Sequence, residues 1–453
     1  MSLRTLALLG AGLVQAAGAA AQTLPPLTYE RYTLPNGLEV ILHEDHSVPL
    51  VAVNIWYHVG SADELPGRTG LAHLFEHLMF MGSENVPVGQ FDILLESAGA
   101  QNNGSTNTDR TNYYEELPST ALPLALWLDA DRMGWLLPTM DQEKLDLQRD
   151  VVKNERRQSY DNQPYGRASE TIGAALFPSD HPYSWPVIGS MADLSNASLD
   201  DVKNFFRTWY APNNATLTIA GDFQPAEAKA LVERYFGAIP RGPAIQRRTA
   251  VPPPRIQRDT FLVMEDRVQL PRVYYAWASP RFYGPGDAEL DLIAQILTGD
   301  KSSRLYKRLV YDMQIAQSVS AFQGSRKLGG IFQIDFIAKP GQDPSALARV
   351  VDEELGRLVR EGITDKELQA AKNRFLTGFL DGMASVLGKA DQLNQYAYFL
   401  GEPNSVAFDA QRYTRATAAD LQRVARELFA TPKVVLTVVP EGGAATMVTG
   451  GGR

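Results

Sequence analysis

The sequence predicts an α+β fold built from two copies of one unit, and three observations point to this class. Residues 38–43 alternate between apolar and polar side chains as a strand does, and 51–57 follow as a second strand before segments of helical periodicity begin. The run from Asp201 to Asp222 recurs from Asp420 to Glu441, helix for helix and strand for strand, at a constant offset of 219 (420 − 201). A Pro-rich, basic segment at 237–258 lies between the copies and is typical of an interdomain linker.

The first 22 residues have the pattern of an export signal. Arg4 provides the positively charged start, residues 6–14 the apolar segment, and residues 19–21 a cleavage site of small side chains. A membrane anchor is the alternative, but about fourteen weakly apolar residues fall short of the ~20 that a spanning helix needs. We therefore expect a periplasmic protein, and full secretion stays open as an alternative.

The remaining chain divides into an N-terminal unit, the linker, a homologous C-terminal unit and a disordered tail. Their predicted bounds are 23–236, 237–258, 259–441 and 442–453. In the N-terminal unit the periodicity predicts helices over 69–81, 88–98, 119–136 and 141–159, and a pair of strands over 100–114. In the C-terminal unit it predicts a helix near 288–297.

Composition and charge limit the classes of partner. Of 453 residues, 44% are apolar and 21% charged, which is the composition of a soluble globular protein. A formal net charge of −9 argues against nucleic acid or an anionic membrane as the main partner, because both favour an excess of Lys and Arg. The chain has no cysteine, so a zinc site would have to use histidine and carboxylate ligands.

The segment His73-Leu-Phe-Glu76-His77 has the spacing of a metal site. On a helix with about 100° per residue, both histidines and Glu76 fall on one arc, and imidazoles at i and i+4 can share one tetrahedral zinc. Glu76 then lies beside the metal, where it can take a proton from water. Two ordinary histidines on a core helix are the alternative. The chain has only six histidines and none after His181, so the second copy cannot hold a matching site.

A third ligand is predicted on the helix over 141–159. Leu145, Gln148, Val152 and Glu155 recur at three- and four-residue spacing, which places two polar side chains on the inward face. A buried carboxylate needs a partner, and zinc would provide one. The alternative is a solvated charge cluster, since two arginines follow Glu155 directly.

The polar strand pair over 100–114 is the candidate for substrate binding. If its exposed edge borders the zinc, the free N–H and C=O groups could pair with an extended peptide. An ordinary surface hairpin is the alternative.

Together, the His73–His77 motif and the run from Val151 to Arg157 resemble the pitrilysin/insulinase family of inverted zincins, a resemblance that covers nearly all of the mature chain. It implies two α/β-sandwich units forming half of a clamshell, with one zinc per chain held by His73, His77 and Glu155. In that family the third ligand is a Glu whose position number exceeds that of the second His by some 77, and here the difference is 78 (155 − 77). The resemblance also identifies the strand that pairs with substrate backbone, made of Asn103, Gly104, Ser105, Thr106 and Asn107.

Two departures from the family pattern have consequences. The family often has a Glu seven residues before the ligand Glu, where this chain has Gln148, which can orient a ligand but adds no charge. The family's substrate-gripping Arg and Tyr correspond to Val310 and Gln317. Arg304 and Tyr311 have the same seven-residue spacing, but they lie six positions too early. We therefore expect a dimer in which a homologous sister chain provides the Arg/Tyr pair.

The resulting hypothesis is a zinc endopeptidase that cleaves peptides or unfolded polypeptides, with Glu76 as the general base. Two alternatives remain: a catalytically silent peptide-binding or assembly subunit, and a dedicated precursor-processing peptidase. Neither nucleic acid nor a membrane is an expected partner.

Overall fold

The computed structural model of the protein describes residues 27–248, 250–443 and 448–449. The predicted signal peptide at 1–22 lies outside the described residues. Of the helices in the described part, none is both long and apolar enough to cross a membrane.

The N-terminal half alternates strands with helices. Its strands are β1 (Glu30–Thr33), β2 (Glu39–Glu44), β3 (Leu50–Tyr57), β4 (Gln101–Thr106), β5 (Thr111–Pro118) and β6 (Ala215–Gly221). Its helices are α1 (Leu71–Leu78), α2 (Gln90–Ser97), α3 (Leu122–Trp135), α4 (Gln142–Arg156), α5 (Ala168–Leu176), α6 (Met191–Asn196), α7 (Leu199–Trp209) and α8 (Pro225–Phe236). A π-helical turn, Arg157–Asp161, follows α4. The predicted helices and strands of this half are therefore confirmed, with ends that differ by a few residues.

The six strands form one sheet in the order β1-β2-β6-β3-β5-β4. The pairing of β2 with β6 is parallel, and the other pairings are antiparallel. Within the described residues β4 pairs only with β5, so its other edge is free. This confirms a strand pair with one exposed edge.

The C-terminal half repeats this plan. Its strands are β7 (Thr260–Asp266), β8 (Arg272–Ser279), β9 (Ala316–Arg326), β10 (Gly329–Ala338) and β11 (Val434–Pro440). Its helices are α9 (Asp287–Thr298), α10 (Pro344–Glu361), α11 (Asp365–Gly382), α12 (Val386–Leu400), α13 (Val406–Thr414) and α14 (Ala418–Phe429). The sheet order is β7-β11-β8-β10-β9, with β9 at an edge as β4 is in the first sheet.

The internal repeat holds in three dimensions. The first positions of α14 and β11 are offset by 219 from those of α7 and β6, respectively (418 − 199 and 434 − 215). Each pair is an amphipathic helix followed by a buried strand in the interior of its sheet. The predicted α+β class with two homologous units is confirmed.

The two halves exchange one helix each. In the first sheet, Val386 and Ala390 of α12 pack against Ala52 of β3 and Ala220 of β6. Conversely, residues of α5, including Ile172, pack against β8 and β11 of the second sheet. Each half therefore has its own large core, and each sheet also has an apolar face covered by a helix from the other half.

The predicted linker and the predicted C-terminal tail both make contacts with the folded halves. The linker contains no helix or strand between residues 240 and 259 in its described part, but Arg247 donates to the carbonyl of His58 at 2.7 Å. The predicted disordered tail, 442–453, is ordered at Val448. Its side chain is buried in the C-terminal core, and its N–H donates to Thr437 Oγ1 at 3.1 Å. The prediction did not anticipate that Val448 would pack into the core, where burial of its apolar side chain stabilises that part of the tail.

Candidate active site

Helix α1 presents its polar residues on one face and buries the other. Leu74, Phe75 and Leu78 are buried, whereas His73, Glu76 and His77 are only partly buried. The helix starts at Gly70, whose φ of 88° lies in the left-handed region that favours glycine. The three- and four-residue spacing of His73, Glu76 and His77 therefore places all three side chains on one face of α1.

A buried carboxylate caps the start of α1. The two oxygens of Glu64 accept from the N–H groups of Gly70 and Ala72, each at 2.9 Å. These N–H groups have no partner within the helix, so the oxygens of Glu64 provide the acceptors that they need. Burial raises the pKa of Glu64 to about 8, although the two backbone hydrogen bonds act in the opposite direction. Glu64 thus determines where α1 begins, a role that the sequence analysis missed.

A close backbone contact joins the start of α1 to the helix that carries Glu155. An added Cβ on Gly189 would lie 2.5 Å from the Cα of Gly70, so the two backbone segments are too close for a side chain at residue 189. Arg156, next to Glu155, donates to the carbonyl of Gly189 at 2.7 Å and to Glu170 at 2.8 Å. The loop at Gly189 therefore holds α1 and α4 at a defined separation.

His73, His77 and Glu155 converge on one point. Their potential ligand atoms all lie within 4.8 Å of one another, and they form the one such cluster of three or more metal-binding side chains in the described residues. Glu155 Oε2 lies 3.3 Å from His77 Nε2 and 3.7 Å from His73 Nε2. The structure thus brings together the three residues that were predicted as ligands, although they come from two helices far apart in the sequence.

The environment of the cluster favours a neutral imidazole at His73 and an ionised carboxylate at Glu155. Burial lowers the pKa of His73, against the opposing effect of Glu76 and Glu155. The hydrogen bond from His77 lowers the pKa of Glu155. The Glu155 side chain is 39% exposed, so it is only partly buried rather than buried on the inward face as the helix periodicity predicted. These protonation states are the ones that bind metal ions.

Glu76 lies against the free edge strand. An added Cβ on Gly104 of β4 would lie 3.1 Å from Glu76 Cγ and 3.2 Å from the ring of Tyr113. The absence of a side chain at Gly104 therefore leaves the space that Glu76 occupies. Tyr113 supports the same region from below, because its hydroxyl donates to the carbonyl of Phe75 at 3.0 Å. The edge strand thus borders the cluster, and Tyr113 is a supporting residue that periodicity alone did not single out.

Four of the five residues of the predicted substrate strand belong to the edge strand β4. Asn103, Gly104, Ser105 and Thr106 belong to β4 and pair with β5. Asn107 lies in the following turn, where its N–H donates to Arg110 and its carbonyl accepts from Ser61. Because both backbone groups of Asn107 already have partners, it is not free to pair with a peptide.

Gln148 does not orient a ligand in this structure. Its Nε2 donates to Met81 Sδ at 2.8 Å, at the end of the turn that follows α1. His73 Nδ1 is buried and has no hydrogen-bond partner among the described residues. The predicted role of Gln148 as a ligand-orienting residue is therefore not supported, and its amide instead contacts the segment after α1.

The C-terminal half offers no substitute Arg/Tyr pair at the predicted positions. Val310 packs partly against the C-terminal core, and Gln317 is exposed on β9. Arg304 forms an ion pair with Glu367 at 2.6 Å, so its charge already has a partner, whereas Tyr311 is exposed. Arg304 is therefore engaged within the C-terminal half, and its seven-residue spacing from Tyr311 does not make the two residues a substrate-gripping pair.

Sequence comparisons identify the family of both halves. Residues 39–181 match the family described as insulinase (peptidase family M16), and residues 196–375 match the peptidase M16 inactive domain. Zinc protease PqqE of Helicobacter pylori is 30% identical over 419 residues, which are 88% of this chain and 90% of that protein. YmxG of Bacillus subtilis, described as an uncharacterized zinc protease, is 24% identical over 416 residues, 91% of this chain and 98% of that protein.

Solved structures share the fold. A crystal structure of a protease from Helicobacter pylori has a TM-score of 0.83 at 26% identity and covers 92% of this chain and 100% of that one. The peptidase M16 inactive domain from Pseudomonas fluorescens has a TM-score of 0.81 at 20% identity, with coverage of 91% and 98%, which is a likeness of fold alone. With the paired sheets and the convergence of His73, His77 and Glu155, these matches lead to one conclusion. The chain belongs to peptidase family M16, the insulinase family.

Proposed function

We propose that this protein is a zinc-dependent endopeptidase that cleaves peptides or unfolded polypeptides. One observation carries the proposal: His73, His77 and Glu155 converge on one point, and Glu76, on the same helix as the two histidines, lies against the edge strand β4. Names of relatives that include zinc protease support the choice of metal and of reaction class.

The donor set fits zinc. Two imidazole nitrogens and one carboxylate oxygen make a three-ligand site of the kind that leaves a fourth position open. In a tetrahedral site, neighbouring donor atoms lie about 3.3–3.5 Å apart. The two separations from Glu155, 3.3 and 3.7 Å, are close to that range. The Nε2 atoms of His73 and His77 are the ring nitrogens that face Glu155 Oε2, so these are the nitrogens that would bind zinc.

When bound, zinc would lower the pKa of a water molecule to about 7 and polarise the substrate carbonyl. Glu76 would take the proton from the attacking water and transfer it to the departing amine nitrogen. Its position against Gly104 places the carboxylate beside the strand where a peptide would lie. Tyr113 and Glu64 would keep α1, and with it the two histidines and Glu76, in place during this transfer.

Substrate would bind by adding a strand to β4. Residues 103–106 form an edge with which no second strand pairs in the described residues, and an extended peptide there would be recognised mainly through its backbone. The peptide would have to replace two side-chain hydrogen bonds, from the N–H of Gly104 to Asn103 Oδ1 and from Arg110 to the carbonyl of Ser105, each at 2.8 Å. Side-chain preferences would then be broad, because backbone pairing does not depend on sequence. Folded proteins would be poor substrates, since their backbone groups are already paired.

We further propose a periplasmic location and a dimer with a homologous subunit. The location rests on the signal-like residues 1–22. The dimer rests on the absence of an Arg/Tyr pair at residues 310 and 317, where this chain has Val and Gln. A sister chain would supply those two side chains to the cleft, as the family pattern implies.

The experiment that tests the function is hydrolysis of a quenched fluorescent peptide, with zinc content measured by elemental analysis. We expect about one zinc per chain in the wild type. Glu76→Gln should keep the zinc and lose nearly all activity, because only the proton acceptor is removed. Glu155→Gln should lose both, because a ligand is removed. Glu96→Gln, an exposed change on α2, is the matched control.

The assay also distinguishes the alternatives. Zinc binding without hydrolysis of any peptide, with and without a sister chain, would favour a silent binding subunit. Hydrolysis of a single precursor and of no library peptide would favour a dedicated processing peptidase. Full activity of the isolated chain would contradict the dimer proposal.

A further inference from the structure

A cavity lies between the two halves, just beyond the end of β4. Its volume is about 140 Å³, and its walls include Thr108, Tyr160, Glu170, Trp185 and Arg326. Thr108 belongs to the turn that follows β4, and Tyr160 to the π-helical turn that follows α4. The cavity is therefore built from the continuation of the edge strand, the continuation of the Glu155 helix, and the end of β9 in the other half.

Arg326 contributes the distinctive charge of this cavity. Across the described ranges, its guanidinium makes no ion pair and no hydrogen bond; it lies over the ring of Tyr183, 4.9 Å from the centroid. Burial lowers the pKa of Arg326, while Tyr183 and Asp109 act in the opposite direction. A partly buried guanidinium without a carboxylate partner has unused donors in a fork that matches a carboxylate.

The acidic residues nearby are already engaged. Asp109 accepts from the Tyr183 hydroxyl and from the N–H of Lys327, both at 3.0 Å. Glu170 forms an ion pair with Arg156 at 2.8 Å. Neither carboxylate is bonded to Arg326, so the positive charge of Arg326 is only partly balanced by its surroundings.

The position of the cavity relates it to a peptide on β4. Thr108 is four residues after Gly104, the residue that contacts Glu76. Four residues of extended chain would span about 13 Å, and because β4 ends at Thr106 and the chain then turns, Thr108 lies within that distance of Gly104. A peptide that pairs with β4 and reacts near Gly104 would therefore bring a side chain or a chain end to the cavity three to five residues from the cleaved bond.

We propose that Arg326 and this cavity form a subsite that binds a carboxylate of the peptide substrate. This inference rests on the proposed peptidase function. The carboxylate is either an internal Asp or Glu side chain or the free C-terminus of a short peptide, and both present the same planar acceptor. Backbone pairing on β4 is broad in specificity, and the subsite adds one position with a charge preference.

The test is a set of matched peptides in which Glu or Gln is moved through each position, with cleavage sites mapped by mass spectrometry. A second set of peptides ends at the preferred position, either as the free acid or as the C-terminal amide. Faster cleavage of the free acid would assign the subsite to the C-terminal carboxylate, and equal rates would assign it to an internal Asp or Glu side chain. We expect Glu to exceed Gln about tenfold in kcat/KM at one position, three to five residues from the cleaved bond. In Arg326→Gln this ratio should fall below about twofold, whereas Arg349→Gln, an exposed change on α10, should keep it.

Two further measurements test the subsite without relying on the folding of Arg326→Gln or on turnover. Raising the salt concentration should reduce the Glu/Gln ratio in the wild type, which needs no variant and so does not depend on the folding of Arg326→Gln. Fluorescence anisotropy with zinc-loaded Glu76→Gln measures the same ratio as affinity, without turnover. A ratio near one at every position, or one that survives in Arg326→Gln, would overturn the subsite. A preserved ratio in binding with no cleavage by the wild type would refute the peptidase function alone.

Discussion

Replacing Gly104 by alanine tests the contact between the edge strand and Glu76. The new Cβ would meet Glu76 Cγ at 3.1 Å and the Tyr113 ring at 3.2 and 3.3 Å, whereas unstrained carbon contacts lie at about 3.5–4.0 Å. Tyr113 is fully buried and its hydroxyl donates to the carbonyl of Phe75, so we expect residue 104 to shift away from the ring and towards Glu76. Glu76 must therefore move by about 0.4–0.9 Å.

The size of the expected effect follows from that displacement. Misplacing a reacting group by about 1 Å costs on the order of a hundredfold in rate. We expect kcat of Gly104→Ala to fall about tenfold to a hundredfold, with zinc content unchanged, because neither histidine nor Glu155 moves. Overpacking costs about 1–3 kcal/mol, and the loss of glycine's freedom in the unfolded chain returns about 0.4–1 kcal/mol. The variant should therefore remain folded.

Steady-state kinetics, zinc analysis and urea unfolding of Gly104→Ala would be compared with those of Gly378→Ala. At Gly378, on α11, an added Cβ meets nothing within 4 Å, so this control makes the same chemical change without a contact. Unchanged kcat in Gly104→Ala would refute the idea that Gly104 sets the position of Glu76. A loss of zinc in proportion to activity would also refute it, because the defect would then lie in the ligands.

Three other predictions concern the framework. Glu64→Gln should lower the free energy of unfolding at pH 9 by about 1–3 kcal/mol in urea titrations, because above the pKa of about 8 both carboxylate oxygens are acceptors and one N–H at the start of α1 would lose its acceptor; an unchanged midpoint would contradict the capping role. Burial lowers the pKa of His58 to about 3, so the folded protein binds fewer protons than the unfolded chain between about pH 3 and 6.5, and stability rises with pH in that window. His58→Gln should reduce this slope by up to about 1.4 kcal/mol per pH unit, measured at pH 4, 5, 6 and 7, and an identical slope would argue against a neutral His58. Residues 27–243 and 250–453 expressed separately should not fold alone but should associate when mixed, because each sheet needs a helix from the other half; a dispersed NMR spectrum from either piece by itself would refute this.

The parts of the site that could be predicted from the sequence are those whose residues lie within a few positions of one another on a single helix. The i, i+4 spacing of His73 and His77 needs only a helix to become a pair of facing imidazoles. Glu155 was different, because helix periodicity left it open between a ligand and a solvated charge. The family spacing favoured the ligand, and the structure places its carboxylate 3.3 Å from His77.

Other features could not be predicted because they depend on contacts between distant segments. Asn107 looked like part of a strand, but its backbone groups pair with Ser61 and Arg110 in a turn. Gln148 has the right helical face, yet its amide meets Met81. Val448 lies in a stretch with the composition of a disordered tail, but it packs into the C-terminal core. In each case a partner far away in the sequence, or a turn of the chain, decided the outcome.

What the sequence by itself determined is therefore the list of reactive groups and the plan of the fold. Periodicity, the His73–His77 spacing and the internal repeat are properties of single segments or of their comparison, so they survive without coordinates. Only the tertiary structure decided that Gly104 makes room for Glu76, that α5 and α12 are exchanged between sheets, and that Arg326 lines one cavity with Thr108, in the turn after the edge strand. The physical reason is that close packing and charge pairing act through space, and the chain brings those residues together only when both halves have folded around each other.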